Sequence, residues 1–135
     1  MENNREQIVS DLKEFFSKRK DVVFAYLFGS IAYNNYNSKS DIDVAVFLNS
    51  DKEDLFDERL FLINELETKF KKDVDVIILN TVKSSLLKYV VIKEGIVVDE
   101  KNRDKRTDFE FKTLQKHFDY MPISKMYNEA LLSKI

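Results

Sequence analysis

The chain has no cysteine, no tryptophan, one proline and only two glycines among its 135 residues. The lack of cysteine excludes disulfide bonds, thiol catalysis and cysteine-based zinc sites. It also agrees with a reducing compartment, so we expect a cytoplasmic protein. Because glycine is so scarce, each of the two glycines is expected to have a particular conformational reason to be present.

Long hydrophobic runs are also missing. No apolar stretch approaches the roughly 20 residues that a membrane-spanning helix needs, and the charged segment 1–20 lacks the apolar region of a signal peptide. The formal net charge of −2 is poorly suited to general nucleic-acid binding, which usually needs a basic surface. We therefore expect neither a membrane nor a nucleic acid as a direct partner.

Helical and strand-like patterns alternate along the chain and predict an α/β (α+β) fold, with a mixed sheet of about four strands flanked by helices and followed by C-terminal helices. We expect a single domain over residues 1–135, with a core over about 8–100 and a C-terminal helical segment over about 104–135. Strands are predicted at 22–28, 41–48, 74–79 and, as a short edge strand, 96–98. Helices are predicted at 4–19, 52–71, 82–93 (ended by Gly95), 104–119 and 122–134, and a polar loop at 33–40.

Three aspartates and a Gly-Ser turn are the candidate functional residues. Asp41 and Asp43 are two positions apart at the start of a predicted strand, so their side chains point to the same face. A helix joins this strand to the one that begins near Asp75, which predicts a parallel crossover and brings both strand starts to one edge of the sheet. An antiparallel first strand would bring Gly29 and Ser30 to that same edge.

Asp73 is the alternative to Asp75, because both residues face the same side of the strand. We favour Asp75, which lies between two valines inside the strand, where an unpaired charge is costly. Asp73 is expected in solvent at the entrance of the strand.

Three neighbouring carboxylates repel one another, and without a cation at least one of them should have a raised pKa. A divalent cation relieves this repulsion, and Mg²⁺ prefers oxygen ligands and phosphate-bearing substrates. We therefore predict that Asp41, Asp43 and Asp75 hold Mg²⁺, as two ions, and that Asp75 also accepts a proton. The backbone at Gly29 and the hydroxyl of Ser30 would bind phosphate.

The Gly29–Ser30 turn, the segment Asp41–Val44 and the segment Val74–Val76 together resemble the minimal nucleotidyltransferase (MNT) family of the DNA polymerase β superfamily. Chains this short resemble the antitoxin half of HEPN/MNT toxin–antitoxin pairs. That resemblance implies an enzyme that transfers AMP from ATP to a tyrosine of a HEPN ribonuclease toxin. It also implies Asp41, Asp43 and Asp75 as catalytic residues, Gly29 and Ser30 as nucleotide-binding residues, and a hetero-oligomer with the toxin.

One segment departs from the family pattern. Members often continue Gly-Ser-x-Ala with an arginine and a glycine, whereas this chain keeps Ala32 and continues with Tyr33, Asn34 and Asn35. Two alternatives therefore stay open. The protein could neutralise its toxin by binding alone, or it could transfer a nucleotide to a small molecule, for which a chain of this length offers little room.

Some other features have simpler interpretations. His117 is expected to be exposed or satisfied on a helix. The basic runs 18–20 and 101–106 are expected to be a solvated helix end and a loop, with a triphosphate-binding patch as the alternative. The apolar residues of the last segment, 118–135, could pack on the sheet or form a partner-binding face.

Overall fold

The computed structural model describes residues 5–32 and 40–118, which form four helices and four strands. The predicted α/β fold class is confirmed. The helices are α1 (Arg5–Ser17), α2 (Phe56–Phe70), α3 (Ser85–Glu94) and α4 (Arg103–His117), and the strands are β1 (Val22–Phe28), β2 (Ile42–Leu48), β3 (Val74–Ile78) and β4 (Ile96–Glu100). The predicted helix 122–134 and all but the last residue of the predicted loop 33–40 lie outside the described residues. Each of the four helices is too short or too polar to cross a lipid bilayer.

The strands form one sheet in the order β3-β2-β1-β4. β1 is antiparallel to both of its neighbours, β2 and β4. β2 is parallel to β3, and α2 makes the crossover between them. The predicted crossover and the predicted edge position of the last strand are both confirmed.

Helices cover both faces of the sheet. α1 and α2 pack on one face, where Leu12, Phe16, Leu62 and Leu66 are almost fully buried. The other face carries an aromatic cluster under α3 and α4. In this cluster the ring of Phe24 stacks on that of Phe47, with centroids 4.9 Å apart.

β1 lies in the middle of these layers and all seven of its residues are buried. Its continuous apolar sequence therefore follows from contact with helices on both faces. One buried polar group on this strand needs a partner: the Tyr26 hydroxyl donates to Glu110 Oε2 of α4 at 2.7 Å. Arg106 Nη1 donates to the same carboxylate oxygen at 2.7 Å, so α4 is fixed to the sheet by a charged network.

Two helices begin later than predicted, because side chains hold the preceding backbone in turns. α2 starts at Phe56, not at residue 52, and the Asp54 carboxylate accepts from the Phe56 N–H at 3.0 Å. α3 starts at Ser85, not at residue 82, and the Ser84 hydroxyl accepts from the Leu87 N–H at 3.1 Å. α3 ends at Gly95 as predicted, where the Gly95 N–H donates to the Val91 carbonyl at 2.8 Å.

The outer edge of β3 is covered by side chains of α2. Glu67 Oε2 accepts from the Val74 N–H at 3.1 Å. Arg59 Nε donates to the Val76 carbonyl at 2.6 Å. These bonds satisfy backbone groups that would otherwise be available to pair with another strand.

Candidate active site

The sheet brings the predicted functional residues together at one edge, as the sequence predicted. Phe28, the last residue of β1, lies opposite Asp43 in the antiparallel ladder. Asp43 lies beside Asp75 in the parallel ladder. The turn after β1, which begins with Gly29 and Ser30, therefore meets the starts of β2 and β3.

Gly29 is in direct contact with Asp43. Its φ of +80° lies in the left-handed region, which favours glycine. A Cβ atom at this position would also collide with Oδ2 of Asp43. The close approach of backbone to carboxylate therefore explains one of the two glycines in the chain.

The rest of this turn is anchored to α1. Ser30 is half-buried directly after Gly29, while Ile31 and Ala32 are buried. Arg5 Nη1 donates to the carbonyl of Ala32 at 2.8 Å. The positions 33–35, where the chain departs from the family pattern, lie outside the described residues.

The three carboxylates interact electrostatically. Burial, then the charge of Asp75, and then the charge of Asp41 raise the pKa of Asp43 to about 6 from its ordinary value of 3.8. Asp43 is half-buried, whereas Asp41 is exposed immediately before β2. The expectation that one of the three would have a raised pKa is confirmed.

These carboxylates fit Mg²⁺ in their chemistry but do not surround a common point. Within residues 5–32 and 40–118, no group of three acidic, histidine or cysteine side chains is arranged to hold a metal ion. Carboxylate oxygens are the ligands that Mg²⁺ prefers, and the repulsion that raises the pKa of Asp43 is what a cation would relieve. Metal binding at this edge would thus require the side chains to turn toward one another.

Arg59 is a further residue of the candidate site, and the sequence did not reveal it. Its Nη2 donates to Asp75 Oδ1 at 3.0 Å, and its Nε bonds the neighbouring Val76 carbonyl. Since Asp75 alternates with the buried Val74 and Val76, its carboxylate faces away from α2, and the guanidinium reaches it around the outer edge of β3.

The structure also describes the surroundings of Asp73, Asp75 and His117. Asp73 is exposed just before β3, as expected, whereas Asp75 lies within the strand, half-exposed and paired with Arg59. His117, the last residue of α4, stacks on the Tyr89 ring, with centroids 4.3 Å apart.

The basic run 101–106 has a structural role at two of its positions. Lys101 Nζ donates to the carbonyls of Phe16 and Val22, at 2.8 and 3.0 Å. Arg106 bonds the carboxylates of Glu100 and Glu110. These two cations connect parts of the fold to one another.

Comparison with known proteins identifies the family. Residues 10–104 match the family model described as polymerase beta, nucleotidyltransferase. The matched range includes Gly29, Ser30 and all three aspartates. The chain belongs to this family. No curated protein matches it by sequence.

Several solved structures with the same fold are described as toxin–antitoxin complexes. One, described as a toxin–antitoxin with AMP-PNP, has a TM-score of 0.67 and 22% identity, covering 96% of this chain and 99% of that one. A second, described as the toxin–antitoxin MntA-HepT, has a TM-score of 0.62 and 20% identity, with coverages of 95% and 97%. A third contains a tri-AMPylated Shewanella oneidensis HEPN toxin with an MNT antitoxin, at a TM-score of 0.62, 20% identity and coverages of 95% and 96%. The resemblance to MNT antitoxins is thus confirmed for the fold.

Proposed function

We propose that this protein is an antitoxin nucleotidyltransferase that transfers AMP from ATP to a tyrosine of a HEPN-domain toxin. The observation that carries the proposal is the meeting of Gly29, Asp43 and Asp75 at one sheet edge. A carboxylate set beside a backbone-exposing turn suits phosphoryl chemistry, in which the protein mainly positions groups and balances charge.

The acceptor hydroxyl oxygen attacks the α-phosphorus of ATP. The bond from that phosphorus to the bridging oxygen of the β-phosphate breaks, and pyrophosphate leaves with the bonding electron pair. Asp75 takes the hydroxyl proton, while the Gly29 backbone and the Ser30 hydroxyl donate to phosphate oxygens. Asp41, Asp43 and Asp75 would hold Mg²⁺, which when bound balances the negative charge of the phosphates.

The proposed partner and acceptor follow from the family and from the structural neighbours. One neighbour is described as a toxin–antitoxin with AMP-PNP, and another as a tri-AMPylated HEPN toxin in complex with an MNT antitoxin. These neighbours align with 96% and 95% of this chain, so its fold matches that of proteins solved together with a toxin protein. A protein acceptor is therefore favoured over a small molecule.

The test begins with the HEPN-domain protein that co-purifies with the tagged chain from its own cells. Incubation with ATP and Mg²⁺ should increase the mass of this protein by one or more AMP units, located on a tyrosine by tandem mass spectrometry. Asp41→Asn with Asp43→Asn should abolish the increase, whereas Asp73→Asn, a nearby exposed aspartate, should retain it. No mass increase with the wild type, or the same mass increase with the double variant, would disprove the proposal.

A second candidate is an antitoxin that acts by binding alone. It is favoured by the absence of a converged ligand group among residues 5–32 and 40–118, and by the pairing of Asp75 with Arg59. If the Asp41→Asn and Asp43→Asn double variant restores growth of toxin-expressing cells as fully as the wild type, binding alone is sufficient. Loss of rescue while the complex still forms would exclude this candidate.

A further inference from the structure

A cavity lined by lysines lies on the α3–α4 side of the sheet, away from the aspartates. It has a volume of about 420 Å³ and lies between the far end of β2, the start of α3 and one face of α4. Phe47 of β2 contributes to it. This residue is four positions beyond Asp43 and on the same face of the strand, so the two lie about 13 Å apart along β2.

The rim of the cavity carries an excess of positive charge. Lys88 of α3 and Lys105, Lys112 and Lys116 of α4 line it, together with a single carboxylate, Asp108. Asp108 is paired with Lys112 at 3.1 Å. Within the described part of the chain, Lys88, Lys105 and Lys116 have no carboxylate at ion-pair distance. Three unbalanced cations around one cavity are notable in a protein whose formal net charge is −2.

The positive charges of two of these lysines repel each other. Partial burial and, after it, the charge of Lys116 lower the pKa of Lys88. A bound anion would remove this unfavourable energy by compensating both charges. The cost of bringing these lysines together is thus a reason to expect a ligand at this place.

The floor of the cavity is apolar. Phe47, Leu79 and Phe109 line it. The Phe47 and Phe109 rings belong to the aromatic cluster of the core, with centroids 5.9 Å apart, and both residues are only partly buried. An aromatic floor offers a flat surface on which a planar ring can stack, while the lysines above it reach phosphate oxygens.

We infer that this cavity is a second binding site of the protein and that its ligand is a nucleoside di- or triphosphate. The apolar floor accommodates the base, the lysine rim accommodates the phosphates, and the volume suits one such molecule. The site is separate from the aspartate edge and contains no carboxylate arranged for metal binding, so it binds the nucleotide without catalysing its transfer.

The experiment measures binding of a fluorescent ADP analogue, mant-ADP, to the whole chain in EDTA, which removes the divalent cations that the aspartate edge would use. Lys88→Gln with Lys116→Gln should weaken binding about tenfold or more, since two charge-assisted contacts are lost. The matched control is Lys13→Gln with Lys18→Gln, two exposed lysines in α1 and directly after it, on the other side of the sheet. This variant should bind as the wild type does.

A third variant separates this inference from the proposed function. Asp41→Asn with Asp43→Asn should keep mant-ADP binding in EDTA even though it abolishes AMP transfer. If it loses binding, or if the Lys88 and Lys116 variant binds as the wild type does, the nucleotide is not held in this cavity. Inorganic tripolyphosphate should compete more weakly than ADP, and equal competition would overturn recognition of the base.

Discussion

The guanidinium of Arg59 holds one carboxylate oxygen of Asp75, at 3.0 Å from Nη2 to Oδ1. A cation at this sheet edge would need the same carboxylate. If Asp75 holds a metal ion as proposed, Arg59 and the ion compete for this carboxylate.

Replacing Arg59 by methionine should test this competition, because methionine keeps an apolar stem and removes the charge. We expect tighter binding of Mn²⁺, used as a paramagnetic substitute for Mg²⁺ and measured by electron paramagnetic resonance. Without metal, the free energy of unfolding should fall by about 1 kcal/mol, since a partly exposed ion pair and a bond to the Val76 carbonyl are lost. Lys52→Met breaks another surface pair, with Glu58, and should leave the Mn²⁺ affinity unchanged. Equal Mn²⁺ affinities of Arg59→Met and the wild type would contradict the competition.

Asp43 should make the metal-free protein less stable as the pH rises. Its pKa is about 6 in the folded state against an ordinary value of 3.8, so the folded protein keeps a proton that the unfolded chain has already lost. The free energy of unfolding therefore falls between about pH 4 and pH 6 and stays at the lower level above that range.

Asp43→Asn should remove this pH-dependent decrease in the free energy of unfolding. In EDTA the variant should be more stable than the wild type at about pH 7.5, by about 1 kcal/mol once solvent screening at this half-open position is allowed for, and the difference should vanish near pH 4. Urea unfolding at both pH values measures it. Asp73→Asn is the control, and a pH-dependent gain of the same size there would show that the effect does not come from Asp43.

Gly29 and Asp43 should be energetically coupled. Gly29→Ala imposes a positive φ on alanine, at a cost of about 1–2 kcal/mol, and adds a Cβ that displaces the Asp43 carboxylate. In a chain that also carries Asp43→Ala, only the backbone cost remains. The double-mutant cycle, measured by denaturant unfolding, should give a coupling of about 1 kcal/mol. Strict additivity would mean that the turn adapts without moving the aspartate.

The hydrogen bond of Tyr26 should contribute to stability without affecting the site. Tyr26→Phe removes the bond to Glu110 while Arg106 continues to bond that carboxylate, so we expect a loss of about 1 kcal/mol in the free energy of unfolding. The affinity for Mn²⁺ should stay unchanged. A loss of metal affinity in this variant would indicate that α4 controls the geometry of the aspartate edge.

Sequence patterns identified the strands and the meeting of Gly29, Asp43 and Asp75, because strand burial and crossover topology follow from short-range patterns. The starts of α2 and α3 were less predictable, since local side-chain bonds of Asp54 and Ser84 decide them.

Two features required the three-dimensional structure. The role of Arg59 depends on β3 being an outer strand around which a long side chain can reach. The lysine-lined cavity combines residues of α3 and α4 that are far apart in sequence. Spacing within a single helix shows neither relationship.

The order of the strands also has a consequence for synthesis. All the residues of the candidate active site lie between Gly29 and Asp75. They therefore emerge from the ribosome before α3, β4 and α4 have been synthesised. Until those later elements arrive, the aromatic face around Phe24 and Phe47 has no cover. A nascent chain halted after β3 would thus already carry the aspartate edge but would expose this aromatic face, so α3 and α4 protect the protein against aggregation.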